Sequence, residues 1–325
     1  MSDTTDVKVS VLCIAYNQES YIRDALDSFL AQETSFPFEV LVSDDASTDA
    51  TPQILAEYAE RHPDVFRIFA HTENLYSQGR SNIREYLLPN ARGNYLALCE
   101  GDDYWIDPHK LQRQYDYLEA HPNVNLCVTA SVNVRAESKQ VCGEVAPYEE
   151  DRLVPTEDVL TSVHLAGTNT FFMRASSYRA YWDSAIYRSK AHPDMRYLYY
   201  FALTGDIYYM SARMSAYRVL AKGSINSRLI AQGDDARRQR DLLERRLDLI
   251  RVADDFSEGR WHDVLEEAKV TMTYAYHYSM ADIATLKADY PTRWQAEPPR
   301  RRAIALLKHY APHLYQLAVK AWRKL

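Results

Sequence analysis

The run VKVSVLCIAYNQESYIRDALDSFLAQETSFPFEVLVSDDAS, residues 7–47, reads as strand, helix, strand. Residues 7–16 are β-branched and mostly apolar, as in a strand covered on both faces. Tyr21, Ile22, Ala25, Leu26, Phe29 and Leu30 then recur at helical spacing. A second apolar strand follows and ends in Asp44 and Asp45. The alternation continues outward: DATPQILAEYAERHP (49–63) is an amphipathic helix with Pro52 near its start, FRIFAHTEN (66–74) a strand, GRSNIREYLLPNA (79–91) a helix and GNYLALCEGDD (93–103) a fourth strand. Strands and helices joined by short connections predict an α/β fold with a mostly parallel sheet flanked by helices.

Farther along, HLAGTNTFFMRASSY (164–178) predicts a loop and strand, PDMRYLYYFAL (193–203) a Tyr-rich helix and GDIYYMSARMSAYRVL (205–220) a hairpin or strand pair. After Gly223 the pattern is helical, with helices expected over 234–256, 261–280 and 300–325. This places a domain over 1–224 and a helical C-terminal extension over 225–325.

The chain has 325 residues, 46% of them apolar, enough for a substantial core. Its net charge of −7 provides no basic field of the kind nucleic acid requires. The polar start MSDTTDVKVS lacks the features of a secretory signal, and no run approaches the roughly 20 apolar residues that span a bilayer. The four cysteines form no CxxC pair; Cys13, Cys99 and Cys127 sit in apolar runs as small buried residues, and a reducing, cytoplasmic compartment is expected.

In α/β sheets ligands bind beyond the carboxyl ends of strands, where this chain places Asn17, Asp44 and Asp45, and Glu100, Asp102 and Asp103. Alternation along a strand points Glu100 and Asp102 the same way and Asp103 away. Two converging carboxylates repel unless a cation or hydrogen-bond donors intervene, and the cation that suits them is Mg2+ or Mn2+, completed by phosphate oxygens and water. The same stretch also reads as solvated acids capping the helix that starts near Asp107 and Pro108.

Together, VSVLCIAYNQESYIRDALDSFLAQ, FEVLVSDDASTDAT and NYLALCEGDDYWIDPHKLQRQ resemble successive motifs of the family-2 glycosyltransferases, which have the GT-A fold; EGDDYW with its following P and KL is similar to a branch that makes bacterial surface polysaccharide. The resemblance covers about residues 7–224. It implies a nucleotide-binding half over about 1–110 and an acceptor half over about 111–224. Ala15, Tyr16 and Asn17 would line the nucleotide, Asp45 would approach the base, and Asp44 would steady its loop. In the DxD-like element Glu100-Gly101-Asp102, Asp102 would ligate the metal, Glu100 would meet ribose or the metal shell, and Asp103 and Trp105 would lie toward the acceptor. His164, Thr168 and Asn169 resemble acceptor-side residues, and Arg218 of MSAYR would approach the diphosphate. Relatives follow that Arg with a His two residues on, where this chain has Leu220, leaving Lys222 as a substitute.

Inverting transfer needs a carboxylate to take the acceptor hydroxyl's proton. In the branch it resembles, an acid at a helix start precedes a Gly by eleven residues; Asp194 to Gly205 matches, and Asp206 is the alternative. Asp194 also suits a plain N-cap. The resemblance thus implies an inverting glycosyltransferase using a nucleotide-diphosphate sugar, UDP-sugar foremost, a glycan or lipid-linked glycan acceptor, and Mn2+ or Mg2+. A non-catalytic sugar-nucleotide or glycan-binding assembly partner is the rival. A nucleotidyltransferase would open with a Gly-rich loop, and AYNQES has none.

No acid follows Glu297, while Arg300, Arg301, Arg302, Lys308, Lys320, Arg323 and Lys324 interleave with Ile304, Leu306, Leu307, Tyr310, Leu314, Leu317, Val319 and Trp322. Residues 300–325 therefore read as a basic amphipathic helix, interrupted near Pro312. Such a helix suits either the inner face of an anionic membrane or packing of its apolar side against protein.

Overall fold

The computed structural model describes residues 6–161, 165–219, 221 and 235–315. These fall into two compact units, one within Met1–Arg188 and Pro193–Gly233, the other within Ser189–His192 and Asp234–Leu325. The boundary expected at 224/225 lies outside the described residues.

In the first unit β1 (Val9–Ala15) pairs in parallel with β2 (Phe38–Asp44), Ala15 opposite Asp44. β3 (Phe66–Ala70) adds in parallel outside β2, and β4 (Tyr95–Leu98) in parallel on the other side of β1. The connections hold α1 (Ile22–Leu30), α2 (Thr51–Arg61) and, after a π turn at Ile83–Leu87, the short α3 (Leu88–Asn90). Val9, Val11, Cys13 and Ala15 join Ile22, Ala25, Leu26 and Phe29 of α1 in one buried core. Phe29, fully buried and edge-on to Trp105 at 4.8 Å between ring centroids, contributes about 1.5–3 kcal/mol by leaving water.

Beyond β4 the sheet turns mixed. β5 (Tyr104–Trp105), α4 (Lys110–Ala120), β6 (Val124–Arg135), β7 (Val141–Val145), β8 (Arg152–Leu153), α5 (Thr156–Thr161), β9 (Phe172–Arg174), α6 (Ala175–Asp183), α7 (Pro193–Thr204) and β10 (Asp206–Val219) complete the unit. The strand order is β3-β2-β1-β4-β9-β6-β10-β5, with β7 on β6 and β8 on β10. β9 is antiparallel to both β4 and β6, whereas β10 runs parallel to β6.

One sequence expectation needs correction here. Residues 205–220 contain one long strand, not a hairpin: the polar interval at Ser211–Arg213, which reads as a turn, is absorbed by register shifts of β10 against β6 between Met210 and Ser215.

The second unit is helical: α8 (Asp235–Phe256), α9 (His262–Ser279), α10 (Ile283–Ala288), α11 (Pro291–Ala296) and α12 (Pro299–Tyr310). Tyr274, Ile283, Leu286, Trp294 and Ala305 form its small core. α10 and α11 are each six residues long, too short to display a helical period in sequence. Among the described residues no helix is long and apolar enough to cross a membrane.

Candidate active site

Because β1, β2 and β4 are parallel, their carboxyl ends open on one edge. The loops there are laced together. The Asn17 N–H donates to Ser47 Oγ (2.8 Å), Asn17 Oδ1 accepts from the Thr48 N–H (2.8 Å), and the Gln18 N–H donates to Thr51 Oγ1 (2.8 Å). Asn17 (φ 53°) and Ala46 (φ 61°) both adopt the left-handed region, which Asn tolerates and Ala adopts only under strain. Ala15 is buried, with its carbonyl accepting the Asp45 N–H (2.9 Å), and Tyr16 next to it is partly exposed.

The two aspartates of β2's end brace loops. Asp44 Oδ1 accepts the Ser47 hydroxyl (2.5 Å) and N–H (3.3 Å). Burial raises its pKa, with those bonds opposing. Asp45, also buried, accepts the N–H groups of Leu75 (2.7 Å) and Tyr76 (3.2 Å). Its carboxylate thus fixes the segment after β3 instead of standing free at the edge.

The acid cluster follows β4. The Gly101 N–H donates to the Ile14 carbonyl (3.0 Å), and a Cβ at Gly101 would come within 2.4 Å of Gln18 Oε1 and 2.6 Å of Ile22 Cδ1. Only glycine fits without moving both. Glu100 Oε1 accepts the Thr168 hydroxyl (2.8 Å). Burial, and next the Asp194 carboxylate, push Glu100 up to about 7 against that hydrogen bond. Burial also raises Asp102, which retains partial exposure, while its own backbone amide and Arg218 pull the other way. Asp103 is raised strongly by burial and then by Asp102 and Glu100; its Oδ1 accepts the Arg218 N–H (2.8 Å). Asp103 is therefore buried and braces β10.

Asp194 lies in the first turn of α7, partly buried. Its charge acts on Glu100, Tyr181 and Tyr197, so α7 brings it to the acid cluster. Behind these carboxylates Tyr178 and Tyr197 are buried and joined hydroxyl to hydroxyl at 3.0 Å. Sequence reasoning did not single out this pair, because the many tyrosines nearby gave no way to choose. Asp206 is elsewhere: it is exposed at the amino end of β10, where its charge acts on Tyr117.

Several residues expected at the site have other occupations. Arg218 is almost fully buried: its guanidinium binds the carboxylate of Asp24, the carbonyl of Asp102 (2.6 Å) and the carbonyl of Ala136 (3.3 Å), between the rings of Tyr104 (4.8 Å) and Tyr21 (5.1 Å). It clamps the acid loop from behind and does not face the edge. Trp105 is buried against Phe29, donates Nε1–H to the Asn169 carbonyl (2.9 Å) and lies under the Lys110 ammonium (4.4 Å). Asn169 is buried too, donating to the Ala216 carbonyl (3.3 Å). Thr168 is the acceptor-side residue that meets the cluster. His164, Leu220 and Lys222 lie outside the described residues.

Crowded carboxylates with raised proton affinity are what a hard divalent cation relieves. Among the described residues no group of three or more His, Cys, Asp or Glu is arranged to hold a metal ion. Of the cluster's three carboxylates, Glu100 and Asp102 keep partial exposure, so a cation at this edge would have to take most of its ligands from phosphate oxygens and water.

The family model of glycosyl transferase family 2 matches residues 10–184. An uncharacterized protein of Mycobacterium tuberculosis is 44% identical over 170 residues, 52% of this chain and 48% of that protein. The chain thus spans about half the length of this curated relative. The poly(ribitol-phosphate) beta-N-acetylglucosaminyltransferase TarS of Staphylococcus aureus is 32% identical over 145 residues, 43% of this chain and 24% of that protein. The crystal structure of S. aureus TarS 1–349 in complex with UDP-GlcNAc superposes with a TM-score of 0.62 at 19% identity, covering 98% of this chain and 92% of that one. This likeness shows that the GT-A fold is shared.

Proposed function

The chain belongs to glycosyl transferase family 2, and from that premise we propose that it is an inverting glycosyltransferase. It moves a sugar from a nucleotide-diphosphate sugar, UDP-sugar foremost, to a hydroxyl of a glycan or lipid-linked glycan in bacterial surface polysaccharide synthesis. The observation that carries the reading is the crowding of Glu100, Asp102 and Asp103 after β4 at the carboxyl edge of parallel strands, with the charge of Asp194 at the start of α7 acting on Glu100. The donor named in the TarS complex supports UDP as the nucleotide. The unpaired state of all four cysteines supports a reducing, cytoplasmic setting.

In this mechanism the laced loops at Asn17 and Asp44 shape the nucleotide end of the cleft. Asp194 accepts the proton of the acceptor hydroxyl as its oxygen attacks the anomeric carbon. The bond from that carbon to the diphosphate oxygen breaks on the opposite face, so configuration inverts. Thr168 orients Glu100, and Arg218 fixes Asp102 by holding its carbonyl. A bound Mn2+ or Mg2+, held by Asp102 with Glu100 beside it, would supply neutralisation of the leaving diphosphate's charge.

The test takes UDP-, dTDP- and GDP-sugars, each with and without Mn2+, and follows thermal stability and nucleotide release in the presence of glycan acceptors. Asp102→Asn is expected to lose metal-dependent stabilisation by the donor. Asp194→Asn should keep that stabilisation yet lose about 10²-fold or more in release. Asp206→Asn should stay within about twofold, because it holds no reacting proton. Full turnover by Asp194→Asn would refute its role as base, and donor binding without turnover in the wild type would favour the non-catalytic reading.

A further inference from the structure

Among the described residues nine large apolar side chains are exposed, and four of them cluster at one place: Ile304 (43%), Leu307 (36%), Tyr310 (71%) and Leu314 (50%). The first three lie on α12 at a spacing of three, with exposed Ala303 on the same side. α12 packs inward by another face, where Ala305 is buried and Leu306 lies against the core of Tyr274, Ile283, Leu286 and Trp294. The packing expected of an amphipathic helix is therefore satisfied by that face, and a second apolar face remains uncovered.

The charges carried by α12 itself are of one sign. Arg300 and Arg301 are exposed and Arg302 and Lys308 partly so, and no acid follows Glu297 in the chain. Two of these cations also fix the helix: Arg301 pairs with Glu297 (3.2 Å), and Lys308 donates to the Ser279 carbonyl.

We propose that α12 and the turn after it dock on the surface of an anionic phospholipid bilayer, with Ile304, Leu307, Tyr310 and Leu314 entering the headgroup region and the arginines meeting lipid phosphates. An outward apolar row flanked by cations is the pattern of a helix that lies in the interface plane. Face-to-face pairing of α12 with the same helix of a second copy would bring like positive charge to the contact, which disfavours it. This surface is independent of the transfer reaction proposed above.

The test uses the full chain in flotation assays with vesicles of phosphatidylcholine alone and of phosphatidylcholine with phosphatidylglycerol. Binding is expected only to the anionic vesicles and should weaken as salt is raised. The triple substitution Ile304→Ser, Leu307→Ser, Tyr310→Ser should cut partitioning by about tenfold or more. Arg300→Glu should cut it severalfold while leaving folding unchanged, since both sets of positions are exposed. Circular dichroism and melting confirm that each variant is folded. Equal binding to neutral vesicles, or wild-type partitioning by the folded triple variant, overturns the proposal. So does self-association, or capture of an acidic protein, that the triple variant abolishes in the absence of vesicle binding.

Discussion

Glu100→Gln measures what the acid crowd costs the fold. Burial, with Asp194 next, raises Glu100 from its ordinary 4.5 to about 7. The unfolded chain keeps the ordinary value. Between the two, the folded protein binds a proton that the unfolded chain has released. The stability that this proton confers is present in full below about pH 4.5 and is lost as pH rises through about 7. A shift of that size corresponds to about 3 kcal/mol, and partial solvent contact reduces the expectation to about 2–3 kcal/mol. Glutamine stays neutral at every pH and can still accept the Thr168 hydroxyl.

Urea unfolding of wild type and Glu100→Gln across this range gives the difference directly, including the relief of Asp103, whose carboxyl Glu100 helps to raise. The two proteins should be nearly equal at about pH 4.5, and the variant more stable by about 2–3 kcal/mol at about pH 8. A second substitution checks the cause: in an Asp194→Asn background the gain should shrink, because one source of the shift has gone. A gain that does not change with pH, or a variant less stable than wild type at about pH 8, would refute the reasoning.

Two further outcomes follow from buried cations. Arg218→Ala should destabilise by about 3–5 kcal/mol in urea unfolding, because Asp24 loses its buried partner and two carbonyls lose donors; Arg218→Lys, unable to serve three acceptors at once, should recover only part of that, and full recovery would contradict the clamp. Lys110 is fully buried, bonded to Gln114 Oε1 (2.8 Å), and burial lowers it from 10.5 to about 8. The unfolded chain therefore holds the proton longer, so wild-type stability should rise with pH between about 8 and 10.5. Lys110→Met should remove this slope and stabilise by about 1–2 kcal/mol at neutral pH; an unchanged slope in unfolding measurements would exclude Lys110 as its source.

The parallel strands and the acids at their ends were legible because each signal is local: an apolar run, a helical period, a carboxylate after the last strand residue. Gly101 was legible as part of a motif, and the structure supplies its reason in the Gln18 and Ile22 side chains that a Cβ would strike. Arg218 was not legible. Its partners Asp24, Asp102 and Ala136 lie 194, 116 and 82 residues away, and nothing local distinguishes a clamp from a diphosphate ligand. Trp105 misled for a related reason: three residues past the partly exposed Asp102, the chain has already turned its side chain into the core. Asp194 and Asp206 differ by twelve positions, yet one starts a helix at the acid cluster and the other starts a strand at the far end of the sheet.

Arg218 could have neutralised the cluster, and the way it does not is informative. Its guanidinium takes the carbonyl of Asp102, while only its backbone N–H reaches the carboxylate of Asp103. Its field tempers Asp102 and Asp103, yet both remain raised. The fold thus uses this cation to hold the loop's shape and leaves Glu100, Asp102 and Asp103 at the edge without a paired cation of their own among the described residues. That arrangement costs stability in the empty protein, and it pre-organises the loop for an occupant whose cation completes the charge balance. Glu100→Gln should therefore gain stability and lose donor-dependent turnover together, the opposite signs expected of a residue kept for function at the fold's expense.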